Sequence, residues 1–108
     1  MNLEQNEWWS KFEADENGII LDVRTDEEFE SSKIPGALNI DIYKGQGFIY
    51  NLELMKEKRE ELDKAKNYYV YCLSGGRSGQ ACGVMKQLGF QNAYNLLGGI
   101  SQWEGPTE

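Results

Sequence analysis

No histidine occurs anywhere in the chain. That removes Cys–His dyads, histidine-dependent triads and histidine-ligated metals together, so any nucleophile must be activated by another device. Cysteine is scarce. Cys72 and Cys82, ten positions apart, form neither a disulfide framework nor a zinc pattern, and no metal or cofactor is expected. No stretch of about 18 apolar residues is present, so no membrane-spanning segment is expected. Residues Met1 to Glu7 are polar and acidic and lack the basic region and apolar run of a secretion signal, which makes the cytoplasm the expected location. Positive charge is also in short supply. Eleven Lys and Arg stand against 18 Asp and Glu, a net charge of -7. Nucleic acid is a poor fit to such a surface, because neutralising phosphates needs clustered Lys and Arg. A small anionic substrate is not excluded, since charges beyond roughly 8 Å are screened at physiological salt.

What remains is an ordinary globular composition, 40% hydrophobic and 27% charged over 108 residues, read as one domain over residues 1–108. Repeats, low-complexity tracts and Pro/Gly-rich linkers are absent. Trp8, Trp9 and Phe12 at helical spacing predict a helix over 3–14, ended by Asn17-Gly18. Ile19 to Val23 reads as a buried parallel strand. Thr25 and Glu28 form a capping box, with Asp26 and Glu27 in the favourable first turn, and predict a helix to about Ser32. A turn at Ile34 to Ala37 leads into a short strand from Leu38. Residues 43–50 read as a loop rich in glycine and aromatics. The charged segment 52–66 reads as a helix with a narrow stripe of Leu52, Met55 and Leu62 and a solvated outer face. Tyr68 to Tyr71 is a strand by its aromatic and β-branched content. A helix follows from about Ser78 to Leu88, stopped by Gly89. Ala93 to Leu96 is the last strand, and Gly98-Gly99 opens a short helix near Trp103. Strands alternating with helices indicate an α/β domain, with a mainly parallel central sheet flanked by helices on both faces.

Chemistry concentrates at Cys72. It ends a strand and is followed by Leu73, Ser74, Gly75, Gly76 and Arg77, then a helix. Ligands of open α/β sheets bind beyond the carboxyl ends of the strands. The two glycines allow a tight loop whose N–H groups point inward as an anion nest. The helix N-terminus adds partial positive charge, and Arg77 adds a permanent cation. The same features lower a thiol's pKa without histidine. Cys72 is therefore the candidate nucleophile, and Leu73 to Arg77 the candidate substrate cradle. Cys82, in mid-helix with no nearby cation, reads as a packing residue, with a resolving thiol as the alternative.

These motifs resemble those of the rhodanese family. Leu21-Asp22-Val23-Arg24, Glu28-Phe29, Ile34-Pro35-Gly36-Ala37 and Asn39-Ile40 are similar to its N-terminal signature, Tyr71-Cys72 through Arg77-Ser78 to its active-site loop, and Leu88-Gly89-Phe90, Leu97-Gly98-Gly99 and Trp103 to its C-terminal signature. The resemblance spans about residues 17–105. It implies the rhodanese fold and a sulfurtransferase in which Cys72 takes the outer sulfur of thiosulfate or a similar donor as a persulfide, releases sulfite, and passes the sulfur to cyanide, a thiol or a protein partner. It also implies that Leu73 to Arg77 supply the loop amides, and Arg77 the cation. Asp22, Arg24 and Glu28 read as structural, with Arg24 and Glu28 available for a salt bridge or cap. Many members have histidine where this chain has Lys33. Tyr43, Phe48 and Tyr50 read equally as entrance-lining or core aromatics. Two alternatives stand beside the transferase: a non-enzymatic sulfur carrier, and a phosphatase or arsenate reductase of the same fold. The latter use a loop one residue longer than the four residues between Cys72 and Arg77.

Overall fold

The computed structural model describes residues 1–45, 47–48 and 63–108. The elements are β1 (Asn2–Leu3), α1 (Gln5–Glu13), β2 (Ile19–Asp22), α2 (Asp26–Ser31), β3 (Leu38–Asn39), β4 (Asn67–Tyr71), α3 (Gly76–Gln87), β5 (Asn92–Leu96) and a 3₁₀ turn at Ile100–Gln102. Five strands among the described residues form one parallel sheet in the order β1-β5-β4-β2-β3. The α/β fold expected from the alternating pattern is the fold observed. The predicted helix over 52–66 falls mostly on residues 52–62, outside the described residues, as does Tyr50. No helix among the described residues is long and apolar enough to cross a membrane.

Strand periodicity divides the core in two. Along β4, Tyr68 and Val70 face one way with Leu21, Ala81, Cys82 and Met85, whereas Tyr69 and Tyr71 face the other way with Trp8 and Leu96. Helix α3 thus covers one face of the sheet and α1 the other. Trp8 is fully buried, donates its indole N–H to the Tyr94 carbonyl at 3.0 Å, and packs edge-on against Tyr69, Tyr71 and Trp103.

Three differences from the sequence expectation have local causes. The first helix begins two residues later than expected, because Asn2 and Leu3 pair with Asn95 and Leu96 as an edge strand. The helix after the loop begins two residues earlier, since Gly75 at φ +106° is its N-cap and Gly76 already lies in the first turn. The last helix is a single 3₁₀ turn. The capping box forms as expected: Thr25 Oγ1 accepts from the Glu28 N–H at 3.2 Å, and Glu28 Oε1 accepts from the Thr25 N–H at 3.0 Å.

Candidate active site

In a parallel sheet all strands end at one edge. Strand β4 is the central one, so the residue after it stands at the middle of that edge, between the ends of β5 and β2. That residue is Cys72, 1% exposed. The chain then turns through Leu73, Ser74 and Gly75 into α3. The left-handed backbone of Gly75, which a residue with Cβ adopts only under strain, brings its N–H back to the Cys72 Sγ at 3.0 Å. The Ser78 hydroxyl lies 3.3 Å from the same sulfur. Burial pushes the Cys72 thiol up, but the Ser78 hydroxyl and the N–H groups of Ser78, Gly75 and Ser74 outweigh it, and the net shift is downward. Loop amides and the first turn of α3 therefore lower the thiol's pKa without histidine.

The loop is braced from behind. Gly99, in the left-handed region at φ +61°, lets residues 97–101 lie directly against it; a Cβ there would stand 2.3 Å from the Leu73 carbonyl oxygen and 2.6 Å from that of Cys72. Two hydrogen bonds fasten the contact, Ile100 N–H to Cys72 O at 3.0 Å and Ser101 N–H to Leu73 O at 2.9 Å. These two carbonyls are thereby taken up by residues 100 and 101, while the N–H groups of Ser74, Gly75 and Ser78 serve the Cys72 sulfur.

Arg77 sits where its spacing places it, in the first turn of α3, but its guanidinium is not on the sulfur. Both η nitrogens donate to Glu28, at 2.8 and 3.0 Å. The hydrogen bond from Arg77 leads the causes that hold the Glu28 carboxyl down at about 2. Arg77 feels Cys72 only through space, as one of several charges raising its own pKa. The cation therefore arrives partly neutralised, and the Ser78 hydroxyl and the main-chain donors, rather than the guanidinium, contact the sulfur. Glu28 both caps α2 and holds Arg77, a second task that its capping-box position did not announce. Arg24 instead pairs with Asp22 at 2.6 Å and donates to the Ser32 carbonyl, a buried brace at the end of β2.

The remaining candidates separate. Cys82 is 7% exposed within the core on the α3 face, and burial pushes its thiol up to about 12. It also lines a cleft of about 430 Å³ with Gly79, Gly83 and Lys86; Cys72 and the loop do not line that cleft. Phe48 is a core residue, whereas Tyr43 is exposed and donates its hydroxyl hydrogen to Gln80 on α3 at 3.0 Å. Lys33 lies over the Phe29 ring, and its backbone pairs with Glu108. Sequence reasoning placed Ser78 in the loop motif without a role and passed over Asn95; the Ser78 hydroxyl reaches the Cys72 sulfur, and Asn95 bonds both Ser78 and the Gly75 carbonyl. Ser78 was discoverable as the first hydroxyl after Arg77. Asn95 reads as an ordinary strand residue, and only its partners reveal it.

A family model described as Rhodanese-like domain matches residues 4–106. The Bacillus subtilis protein named "Putative sulfurtransferase YtwF" is 39% identical over 98 residues, which cover 91% of this chain and 84% of that one. A second Bacillus subtilis relative, "Putative sulfur carrier protein YrkF", is 36% identical over 98 residues, 91% of this chain and 48% of the relative, so the chain spans about half of that protein. The solution structure of the rhodanese-like domain of an Anabaena protein matches with a TM-score of 0.78 at 27% identity, over 99% of this chain and 77% of that chain.

Proposed function

The chain belongs to the rhodanese-like domain family, and on that premise we propose that it transfers sulfane sulfur through a persulfide on Cys72. The thiolate attacks the outer sulfur of thiosulfate or a similar donor. A new S–S bond forms to Cys72, the donor's own S–S bond breaks, and sulfite leaves with the electron pair. A thiolate or cyanide then attacks the terminal sulfur, the Cys72 S–S bond breaks, and the thiolate is regenerated. The donor is a small anion. Leu73, Ser74, Gly75, Gly76 and Arg77 form its cradle, the loop amides meeting its oxygens and Arg77 contributing charge from the rim.

The observation that supports this reading is a Cys72 sulfur that accepts from main-chain N–H groups, with Gly75 at 3.0 Å, at the carboxyl edge of the central strand. Such a site favours an anionic sulfur and needs no base to prepare it. The four residues between Cys72 and Arg77 support sulfur over a phosphate or arsenate, for which relatives use a longer loop. Intact mass spectrometry after incubation with thiosulfate is the test. A gain of one sulfur atom, absent in Cys72→Ser, is expected; no gain would overturn the reading. The relative named as a sulfur carrier favours a second reading, in which the same persulfide is loaded and unloaded by protein partners. Loading by thiosulfate with repeated turnover to cyanide distinguishes the enzyme from the carrier.

A further inference from the structure

Ser78 Oγ lies between two atoms that can each claim its single proton. On one side is Cys72 Sγ, and on the other Asn95 Oδ1. A serine hydroxyl carries one hydrogen. Asn95 cannot turn its amide round to relieve the competition. Its Nδ2 donates to the Gly75 carbonyl at 3.2 Å and to Asn2 Oδ1 at 3.0 Å. A main-chain carbonyl only accepts, so the reversed amide would set two acceptor oxygens against each other. Oδ1 therefore faces Ser78 and needs its proton. Ser78 is fully buried and Asn95 is 3% exposed, so leaving either atom without a partner is costly.

With Cys72 as a thiol every claim is met. The S–H can donate to Ser78 Oγ while the Ser78 O–H donates to Asn95 Oδ1. When the thiol ionises, its proton leaves to solvent and the sulfur becomes a second acceptor. Ser78 can then serve the thiolate only by abandoning Asn95. We propose that Asn95 is a positioning residue which sets the pH at which Cys72 becomes a nucleophile, by competing with the thiolate for the Ser78 proton. Its functional meaning rests on the reading of Cys72 as the persulfide-forming residue. In a persulfide the charge moves to the terminal sulfur, and the Ser78 hydrogen can return to Asn95. Asn95 thus opposes the free thiolate more than the loaded form, and biases the site towards holding sulfur.

The other charged and titratable groups around this network do not blur it. From α3 comes Arg77, whose pKa is raised, and from α2 its partner Glu28, held at about 2. Strand β2 brings Asp22, paired with Arg24. Cys82, deeper in α3, is pushed up to about 12, and Met1, just ahead of β1, brings its ammonium, bonded to the Ala93 carbonyl.

The test is the pH profile of iodoacetamide alkylation, resolved by mass spectrometry at Cys72. It is run on the native chain, on Asn95→Ala and Asn95→Asp, and on Ser78→Ala with and without Asn95→Ala. Freeing the Ser78 proton should lower the Cys72 midpoint by about one pH unit in Asn95→Ala, the worth of a hydrogen bond to a charged group. The same substitution should have no such effect once Ser78 is alanine. Asn95→Asp, close in shape, should raise the midpoint. An unchanged or raised midpoint in Asn95→Ala, or an equal drop with Ser78 already removed, overturns the proposal. Should Asn95→Ala fail to fold by circular dichroism, Asn95→Asp decides, and an unchanged or lowered midpoint there overturns it. Alkylation does not depend on sulfur transfer. A native chain that gains no sulfur from thiosulfate would defeat the functional reading, while the competition for the Ser78 proton would still stand or fall on the midpoints.

Discussion

Cys72 and Cys82 are both buried against the same side of the sheet, 1% and 7% exposed, yet their thiols are pushed in opposite directions. Burial pushes both thiols up, yet the pKa of Cys72 falls. Burial therefore does not decide which thiol is reactive. The difference lies in the donors around each sulfur, which at Cys72 are the Ser78 hydroxyl and then backbone N–H groups. In the middle of α3 every N–H is engaged with the carbonyl four residues earlier, and Cys82 finds no free donor. At the start of α3 the first N–H groups have no intrahelical partner, and the loop adds more. Cys72 sits where donors are unspent, and Cys82 where they are already used.

The largest effect expected from this contrast is its removal. Cys72→Ser should lower thiosulfate:cyanide transfer by on the order of a thousandfold or more, since it removes the residue proposed to carry the persulfide. Cys82→Ser should retain activity to within about threefold, with any loss following stability rather than chemistry. Transfer assays on both variants, each checked by circular dichroism, make the comparison. Similar losses in two folded proteins would mean that the sulfur passes through both cysteines.

The contrast extends to two glycines. Gly99 presses on the active-site loop, whereas Gly83 lies in α3 with nothing within 4 Å of the place a methyl group would take. Gly99→Ala must push the Cys72 and Leu73 carbonyls away, and transfer should fall about a hundredfold, as displacements near 1 Å commonly cost. Gly83→Ala should leave transfer intact and stabilise the fold by about 0.5–1 kcal/mol, because a helix interior favours alanine over glycine. Transfer rates and urea midpoints separate the two outcomes. Equal activity in both variants would show that the loop is not held by its brace.

Much of this arrangement was legible in the sequence because it is local. The capping box of Thr25 and Glu28, the strand ending at Tyr71, and the cysteine, glycines and arginine that follow are all read within a few residues of one another. What was not legible depends on partners distant along the chain. Strand β1 has two residues and exists only because β5 lies beside it, more than ninety positions away. Asn95 carries no pattern of its own, and acquires its role from Ser78, Gly75 and Asn2. Spacing alone locates Arg77 as a cation near the loop, but that its fork is occupied by Glu28 follows from how α2 and α3 pack, which no spacing records.

The smallest expected effect concerns that ion pair, which belongs to the Cys72 side of the comparison. Glu28 titrates at about 2 in the folded chain, below the ordinary carboxylate range. A depressed carboxyl binds its proton more readily in the unfolded chain. Its contribution to stability is therefore fully present above about pH 4.3, the ordinary glutamate value, and is lost as the pH falls towards 2. Glu28→Gln isolates this contribution, because glutamine can still complete the capping box with Thr25 but cannot carry the charge that holds Arg77. The variant should be less stable at pH 7 by about 1 kcal/mol or less, since both side chains are partly open to solvent and screened. Its stability should also fall less steeply between about pH 4.5 and 2 than that of the native chain. Urea unfolding at a series of pH values measures both differences. Parallel acid limbs would mean that the pair contributes nothing in solution. Arg77 would then stand beside Cys72 as an unpaired charge, and the distinction between the two cysteines would rest on the cation as well as on the backbone donors.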